Sequence, residues 1–300
     1  MIRLTTATKK IKAALDAPTF YKVIQGGQSA GKTYTIMTLL IGYCCHHPNK
    51  IVTVVGRSYP FLDRGAMRDF QNIMKNDFEI WQSSQWNVAK SRYTFRNGTV
   101  MEFMPADKAG DAKGLRRDIL YVNEANEAVS YEVFDLLAPR SRKMAIVDYN
   151  PTSKFWAHEE LVEGKHKDRT TFVVLTYKDN EAINDQERNN IESHKPKPGE
   201  DPSNWWLVYG LGQVGSLEGN VYSGWQELDV DKISTTGKLV RYGLDFGFSN
   251  DETALVAIYD MGDNKLGVVE KYYKKGLLGS EYVGMLKNHD IQGDVLIVAD

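Results

Sequence analysis

The sequence predicts an α/β protein of two domains, and three observations carry this prediction. Strand-like and helix-like segments alternate through residues 1–195, a pattern typical of a parallel sheet covered by helices. A stretch rich in proline and charge then opens a predicted linker over residues 196–218. In residues 219–300, three strand-like segments joined by short turns precede a helix and a fourth strand, which predicts a second, mixed sheet.

In the first domain the predicted elements follow one another closely. The predicted strands are 20–24, 50–55, 92–95, 99–104, 119–122, 144–147 and 170–176, and the predicted helices are 32–45, 62–74 and 131–137. Asn97-Gly98 lies between the third and fourth strands and is a strong hairpin signal. The strand at 119–122 is wholly apolar, as expected for a strand buried on both faces.

In the second domain the predicted strands are 239–246, 253–259, 266–273 and 294–298, with a helix at 280–288 before the last strand. A helical crossover makes this fourth strand run parallel to an earlier one, and we expect it beside the first. Residues 205–209, Trp-Trp-Leu-Val-Tyr, are too apolar to be free. We therefore expect them to pack between the two halves of the chain.

Composition narrows the class of protein but not its activity. The chain is 42% hydrophobic and 25% charged, as in ordinary globular proteins, and its net charge of −2 means that nucleic acid could be held only by local basic patches. No apolar run has membrane-spanning length and the N-terminus lacks a signal-peptide core, so we expect a cytosolic protein without a membrane partner. Cys44-Cys45-His46-His47 lacks the spacing of a zinc site, which favours a helix C-terminus there.

A complete phosphate-binding loop occupies residues 26–33. It consists of Gly26, Gly27, Gln28, Ser29, Ala30, Gly31, Lys32 and Thr33 and matches the Walker A pattern Gly-x-x-x-x-Gly-Lys-Thr, with a strand before it and a helix after it. The glycines let backbone N–H groups turn towards phosphate oxygens, and the helix N-terminus adds positive potential. We expect ATP to bind here, with Lys32 on the β- and γ-phosphates and Thr33 as a ligand of Mg²⁺.

Two further strand ends predict the rest of the ATP site. Asn123-Glu124 follows the apolar strand, and Glu124 is the candidate for polarising the attacking water. Asn123 stands where such sites usually carry aspartate. A neutral amide can orient a metal-bound water but adds no charge. Either Mg²⁺ is therefore held loosely, or another carboxylate helps to bind it. Asn150, between a strand and Pro151, is the candidate sensor of the γ-phosphate.

The combination of these motifs resembles the large terminase subunit of tailed bacteriophages, with the PBSX-type branch nearest. The resemblance covers nearly the whole chain and rests on the phosphate loop and on residues 123–126, 148–151, 242–247 and 296–300. It implies a RecA-like ATPase in residues 1–195, in which Lys32, Thr33 and Glu124 act on ATP and Asn150 couples hydrolysis to movement. It further implies an RNase H-like nuclease in residues 219–300.

The resemblance also implies partners. These are double-stranded DNA, the small terminase subunit, the portal protein of the procapsid and further copies of the chain in a ring on the portal, all in the host cytoplasm. Arg116 or Arg117 could act in trans on a neighbouring subunit's phosphate, although surface or DNA-facing arginines are at least as good an interpretation.

The nuclease residues are predicted from the strand order. Two-metal cleavage of a phosphodiester needs several carboxylates around two Mg²⁺ or Mn²⁺ ions. Asp245 ends the first strand and Asp300 the fourth, so adjacent strands would bring them together, and Asp251 is a plausible third ligand. The family pattern has a further acidic residue beyond this point, so we expect the nuclease domain to be incomplete at its C-terminus.

Two other functions are compatible with the same motifs. A helicase-like or repair ATPase, whose second domain binds nucleic acid without cutting it, predicts strand separation and no metal-dependent cleavage. A P-loop switch protein without a DNA role predicts an ATPase that DNA does not stimulate.

Overall fold

The computed structural model describes residues 4–106, 116–215, 226–247, 252–263, 265–277, 279–289, 291 and 293–299. The chain divides into two compact units, Met1–Asn220 and Val221–Asp300, and each contains one sheet. This is the mixed α/β architecture that the sequence predicts. No helix in the described parts of the chain combines the length and the apolar character needed to cross a membrane.

The first unit contains eight strands and seven α-helices among its described residues. The strands are β1 Tyr21–Gly26, β2 Ile51–Gly56, β3 Trp86–Asn87, β4 Arg92–Thr94, β5 Val100–Pro105, β6 Arg117–Val122, β7 Ser141–Tyr149 and β8 Thr170–Leu175. The α-helices are α1 Thr6–Asp16, α2 Lys32–His46, α3 Tyr59–Arg64, α4 Ala66–Asn72, α5 Ala125–Ala128, α6 Tyr131–Leu137 and α7 Asp185–Glu192. Short π-helical turns lie at Ile73–Asp77, Ala157–Val162 and Trp206–Gly210.

The order of the strands in the first sheet brings three chain segments to one edge. The order is β3-β4-β5-β2-β6-β7-β1-β8, parallel from β5 to β8 and antiparallel only at the β3-β4-β5 end. Every residue of β1 and β6 is buried, because helices cover both faces. Since β7 lies between β1 and β6, the segments that follow these three strands meet at their shared carboxyl edge.

Local backbone chemistry explains where the first unit departs from the predicted elements. The predicted helix 62–74 is divided into α3 and α4 at Gly65, whose φ of −116° and ψ of −111° are not helical. The sequence patterns did not predict the N-terminal helix α1; the Thr5 side chain caps it by accepting a hydrogen bond from the Thr8 N–H, and Ile11 is buried in the core. The hairpin at Asn97-Gly98 is present, with Gly98 at a φ of +82°.

The described part of the predicted linker is folded onto the first unit. The π-helical turn Trp206–Gly210 contributes Trp206 to a small core with Tyr177, Ile183 and Ile191. The apolar run that we expected between the halves therefore packs within the first unit, because its indole ring is buried by neighbours from residues 177–191.

The second unit contains α8 Val230–Thr236, β9 Lys238–Asp245, β10 Glu252–Asp260, β11 Leu266–Lys275, α9 Tyr282–Asn288 and β12 Ile297–Ala299. The strand order is β11-β10-β9-β12, antiparallel except for the parallel pair of β12 and β9. The predicted position of the fourth strand beside the first is thus confirmed. Tyr242, Leu255, Ala257 and Met285 lie in the core of this unit.

The end of α2 confirms the helix C-terminus predicted at the cysteine-histidine string. Cys44 is buried and Cys45 exposed, and both are free thiols. The Nδ1 atoms of His46 and His47 lie 2.7 and 2.9 Å from the carbonyl oxygens of Gly42 and Tyr43, one turn earlier. The imidazoles therefore satisfy carbonyls at the end of the helix.

Candidate functional site

The phosphate-binding loop has the backbone that its glycines allow. Gly31 adopts a φ of +75° and is the N-cap of α2, so the free N–H groups of the first turn of α2 lie directly after the loop. Gly27 has no space for a side chain, since a Cβ there would lie 2.3 Å from the carbonyl oxygen of Tyr209. The loop is thus shaped by residues that are far away in sequence.

Lys32 connects the loop to the end of β7. Its Nζ donates to the carbonyl oxygens of Gly26 (2.9 Å) and Gly27 (3.1 Å) and to Oδ1 of Asn150 (2.5 Å). Burial lowers the pKa of the Lys32 ammonium, whereas the carboxylates of Asp148 and Glu124 raise it. The predicted phosphate ligand and the predicted sensor are therefore in direct contact.

Asp148 is a residue of this candidate site that the sequence interpretation missed. It is completely buried, and its Oδ1 accepts hydrogen bonds from Tyr121 Oη (3.0 Å), Asn123 Nδ2 (3.0 Å) and the Glu124 N–H (3.1 Å). Its Oδ2 accepts from Thr33 Oγ1 at 3.3 Å. The available signal was the strand order, because the pairing of Val122 with Val147 places the next residues of β6 and β7 side by side.

Glu124 follows β6 at the same edge of the sheet. It has a left-handed backbone, with a φ of 52° and a ψ of 58°, and it precedes the short helix α5. Burial raises the pKa of its carboxyl group, and the charges of Asp148 and Glu127 raise it further, while Lys32 lowers it. A half-buried carboxylate with a raised pKa beside the phosphate loop suits a general base.

Residues that follow β8 in the sequence form hydrogen bonds with the loop and with the strand before it, and the sequence interpretation predicted none of these contacts. The carbonyl oxygen of Tyr209 accepts from the Gln28 N–H (2.9 Å), and Asn180 Nδ2 donates to the carbonyl oxygen of Ser29 (2.8 Å). Gln25 Nε2 donates to the carbonyl oxygen of Gly212 (2.7 Å), where a φ of +64° requires glycine. These contacts come from residues beyond β8, and no local pattern in the sequence announces them.

Of the two predicted trans-acting arginines, Arg116 is exposed and Arg117 is 1% exposed. Arg117 begins β6, at the end of the strand opposite to Asn123, and is paired with Ser141 of β7. Its guanidinium would have to leave the interior to reach another subunit. Arg116 is accordingly the one that we retain.

The oxygen donors beside the loop fit a magnesium ion bound with ATP. Thr33 Oγ1 lies 3.3 Å from Asp148 Oδ2 and 3.2 Å from Asn123 Nδ2, so a hydroxyl and a carboxylate share one small region. Mg²⁺ at phosphate sites is typically held by one or two carboxylates together with the substrate phosphates. In the described parts of the chain, no three His, Cys, Asp or Glu side chains form a group that could hold a metal ion by themselves.

In the second unit, the predicted nuclease residue Asp245 lies at the carboxyl end of β9 and is exposed. The neighbouring strand β12 runs parallel to it, with Ala299 paired to Leu244. Asp251 and Asp300, the other two predicted ligands, lie outside the described residues. The structure therefore describes one of the three carboxylates.

Comparison with known proteins gives a family and several similar structures. The family profile of the phage terminase large subunit matches residues 19–212. The large terminase of a thermophilic bacteriophage is similar, with a TM-score of 0.59 and 13% identity over 100% of this chain and 78% of that one. The same phage's terminase in complex with ADP also has a TM-score of 0.59 and 13% identity, over 99% and 77%.

The large terminase of bacteriophage HK97 is also similar, with a TM-score of 0.53 and 14% identity over 100% of this chain and 70% of that one. At these identities the structural likeness establishes a shared fold. Among curated protein sequences, no significant match was found.

Proposed function

The chain belongs to the phage terminase large subunit family, and from this membership we propose that it is the motor that uses ATP to drive double-stranded DNA into a procapsid. The observation that carries the proposal is the contact of Lys32 with Asn150, in a loop whose lysine is also close to the charges of Asp148 and Glu124. We also propose, from the combination of motifs in both halves, that the chain belongs to the PBSX-type branch.

We propose that ATP binds on the loop formed by residues 26–33. The backbone N–H groups at the start of α2 bind its phosphates, and the Lys32 ammonium neutralises charge on the β- and γ-phosphates. When bound, Mg²⁺ would offset the negative charge that develops on the phosphates during transfer. Thr33 supplies its hydroxyl, and Asn123 lies beside that hydroxyl.

In this proposal Glu124 accepts the proton of the attacking water, and Asn150 reports the γ-phosphate. Lys32 is bound to Asn150 at 2.5 Å, and a bound γ-phosphate would compete for the same ammonium. The exchange of one partner for the other moves the end of β7. Asn150 would thereby convert hydrolysis into a backbone displacement, and Arg116 of a neighbouring subunit would add positive charge to the same phosphate.

The wider assignments follow from the family. We propose that the chain acts in the host cytoplasm, forms a ring on the portal protein and receives DNA from the small terminase subunit. We further propose that residues 219–300 form an RNase H-like endonuclease that cuts concatemeric DNA with Mg²⁺ or Mn²⁺ bound by Asp245, Asp251 and Asp300. The support for the nuclease is the strand order of the second unit and the position of Asp245 at a strand end.

The test of the motor proposal is ATP hydrolysis with and without linear duplex DNA, by the wild-type chain and by Lys32→Ala. We expect DNA to stimulate hydrolysis. We expect Lys32→Ala to reduce turnover by about 100-fold or more, because alanine removes the ammonium that neutralises charge on the β- and γ-phosphates. Lys12→Ala, on the exposed face of α1, is the matched control.

Three outcomes would contradict the motor proposal. Wild-type turnover in Lys32→Ala would remove the loop from the chemistry. Separation of the strands of a labelled duplex would favour the helicase-like alternative, and hydrolysis that DNA leaves unchanged would favour a switch protein.

A further inference from the structure

Asn123 is neutral at a position where ATP sites usually carry an aspartate that binds Mg²⁺. The inference drawn from this difference rests on the proposed ATPase function. A phosphate-bound Mg²⁺ is ordinarily held by the loop hydroxyl and by an aspartate at the end of a neighbouring strand. Here Thr33 provides the hydroxyl, but the residue at the end of β6 is a neutral amide. Unless the ion is held loosely, another part of the site supplies the carboxylate.

The strand order supplies one from the adjacent strand. Val122 of β6 is paired with Val147 of β7, so Asn123 and Asp148 occupy neighbouring positions at the same edge. Side chains alternate along a strand, and Asp148 and Asn150 therefore face the phosphate loop together while Tyr149 faces the other side. Their contacts agree, because Asp148 bonds to Thr33 and Asn150 to Lys32.

The hydrogen bonds of Asp148 leave one of its oxygens directed at the metal region. Tyr121 Oη, Asn123 Nδ2 and the Glu124 N–H all donate to Oδ1, at 3.0 to 3.1 Å. Oδ2 receives only the longer 3.3 Å bond from Thr33 Oγ1 among these contacts. A carboxylate that is fixed through one oxygen presents the other to the hydroxyl that would bind the cation.

The orientation of Asn123 gives it a different task. Its Nδ2 donates both to Asp148 Oδ1 and to Thr33 Oγ1, so the amide nitrogen faces the two oxygen donors. An N–H group repels a cation and cannot bind it, but it can hold a carboxylate in place.

We infer that Asp148 is the carboxylate that holds Mg²⁺ beside Thr33, and that Asn123 is a positioning residue for Asp148. The metal-binding carboxylate is thus at the end of β7, on Asp148, and not after the neighbouring strand β6. The amide of Asn123 occupies the position after β6 where an aspartate is usual. Since Asn150 lies two residues after Asp148, directly after β7, the residue that holds the metal and the residue that contacts the γ-phosphate are both positioned by the end of this strand.

The test exchanges the two side chains. The binding of a fluorescent ATP analogue to the full chain is measured as Mg²⁺ is titrated, and the binding of Mn²⁺ in the presence of ADP is measured by electron paramagnetic resonance. Asp148→Asn should raise the Mg²⁺ concentration for half-maximal binding by about 10-fold or more and weaken Mn²⁺ binding to the same degree. Asn123→Asp/Asp148→Asn restores one charge and should recover most of the lost affinity.

Asp118→Asn is the matched control for the removal of a buried charge. Asp118 is 6% exposed and lies near the start of β6, where it accepts from the Ile51 N–H. This variant should lower the melting temperature without changing the Mg²⁺ dependence. If Asp148→Asn melts at a far lower temperature than Asp118→Asn, the double variant Asn123→Asp/Asp148→Asn decides the question. Recovered metal affinity in the double variant supports the inference. Weak metal affinity in a normally folded double variant overturns it.

The two proposals fail in different ways. A wild-type chain that does not bind the analogue overturns the ATPase function and the role of Asp148 with it. A wild-type chain that binds the analogue with Mg²⁺, and an Asp148→Asn variant with the same Mg²⁺ dependence, overturn only the role of Asp148.

Discussion

Glu124 combines an unusual backbone with an unusual electrostatic position. A φ of 52° in a residue with a long side chain costs about 1–3 kcal/mol and persists only where the surroundings enforce it. Here the Glu124 N–H donates to Asp148 and its carbonyl oxygen accepts from the N–H of Ala128. The left-handed turn therefore directs the chain away from the sheet edge while keeping the Glu124 carboxylate near Lys32. The charge of Lys32 lowers the pKa of this carboxylate.

Replacing Glu124 by glutamine should separate binding from chemistry. The amide keeps the shape of the side chain but cannot take a proton from water, so we expect ATP binding within about 3-fold of wild type and turnover lowered by about 100-fold or more. Analogue binding and phosphate release on the same preparation measure the two quantities. Hydrolysis at the wild-type rate would transfer the role of base to another carboxylate, with Glu127 as the first candidate.

Glu127→Gln is the matched control and also predicts a pH effect. The exposed Glu127 carboxylate raises the pKa of Glu124, so its removal lowers that pKa. A base works in its ionised form, and the acidic limb of the pH–rate profile should therefore move to lower pH while turnover on the alkaline side is unchanged. An unmoved limb would show that hydrolysis does not depend on the ionisation of Glu124.

At the scale of elements, β7 connects the ATP site with the interior behind it. At its carboxyl end Asp148 faces the loop and Tyr149 faces a buried polar cluster, and Asn150, directly after the strand, faces the loop again. In that cluster Gln25 Oε1 accepts from Tyr149 Oη (3.1 Å) and lies 2.8 Å from His158 Nε2. Gln25 also bonds to Gly212, so β1, β7, the turn Ala157–Val162 and the segment after Trp206–Gly210 share one network.

His158 should make the first unit less stable in mild acid. The Phe155 N–H donates to its Nδ1, which requires a neutral ring. Burial lowers the pKa of the imidazole, Glu163 raises it by a smaller amount, and Lys154 lowers it further. Because the folded pKa is below the unfolded value of about 6.5, the unfolded chain binds more protons as the pH falls below that value, and stability is lost there.

The measurement compares wild type with His158→Gln. The variant loses about 1–3 kcal/mol in mildly alkaline buffer through imperfect hydrogen bonds. The wild-type chain loses stability as the pH falls, whereas the glutamine of the variant does not titrate. The difference in melting temperature between the two should therefore narrow from about one pH unit above to about one unit below the unfolded pKa of roughly 6.5. The transition to follow is the one that nucleotide shifts upward. A constant difference over this range would mean that His158 is not held neutral.

Local sequence patterns predict most of the helices and strands, but they predict only part of the candidate ATP site. The strand before the loop, the helix after it and the hairpin at Asn97-Gly98 are dictated by glycine chemistry and apolar periodicity, which act over a few residues. Asp148 was overlooked because its importance depends on which strand is adjacent to β6, and that order is a long-range property. Tyr209 and Gly212 were overlooked for the same reason, since they reach the loop through folding of a segment that was predicted as a linker.

At the scale of the whole molecule, the two proposed activities are assigned to different sheets. The ATP site lies in the unit Met1–Asn220, whereas Asp245 lies in the unit Val221–Asp300, and each unit has its own hydrophobic core. A side-chain substitution at the exposed end of β9 removes nothing from the first core. The chemistry of each unit is therefore expected to be separable by mutation.

Asp245 provides the test of this separation. Asp245→Asn should abolish cleavage of supercoiled plasmid with Mg²⁺ or Mn²⁺ and leave ATP hydrolysis within about 2-fold of wild type, because a neutral amide holds divalent cations poorly. DNA binding should be kept or strengthened, since the loss of a negative charge reduces repulsion of the phosphate backbone. Asp260→Asn is the matched control: this aspartate is also exposed, but the antiparallel pairing of Asp260 with Lys238 places it at the opposite end of the sheet. Cleavage by Asp245→Asn at the rate of the Asp260→Asn control would exclude an RNase H-like metal site at the end of β9 and would favour a second unit that binds nucleic acid without cutting it.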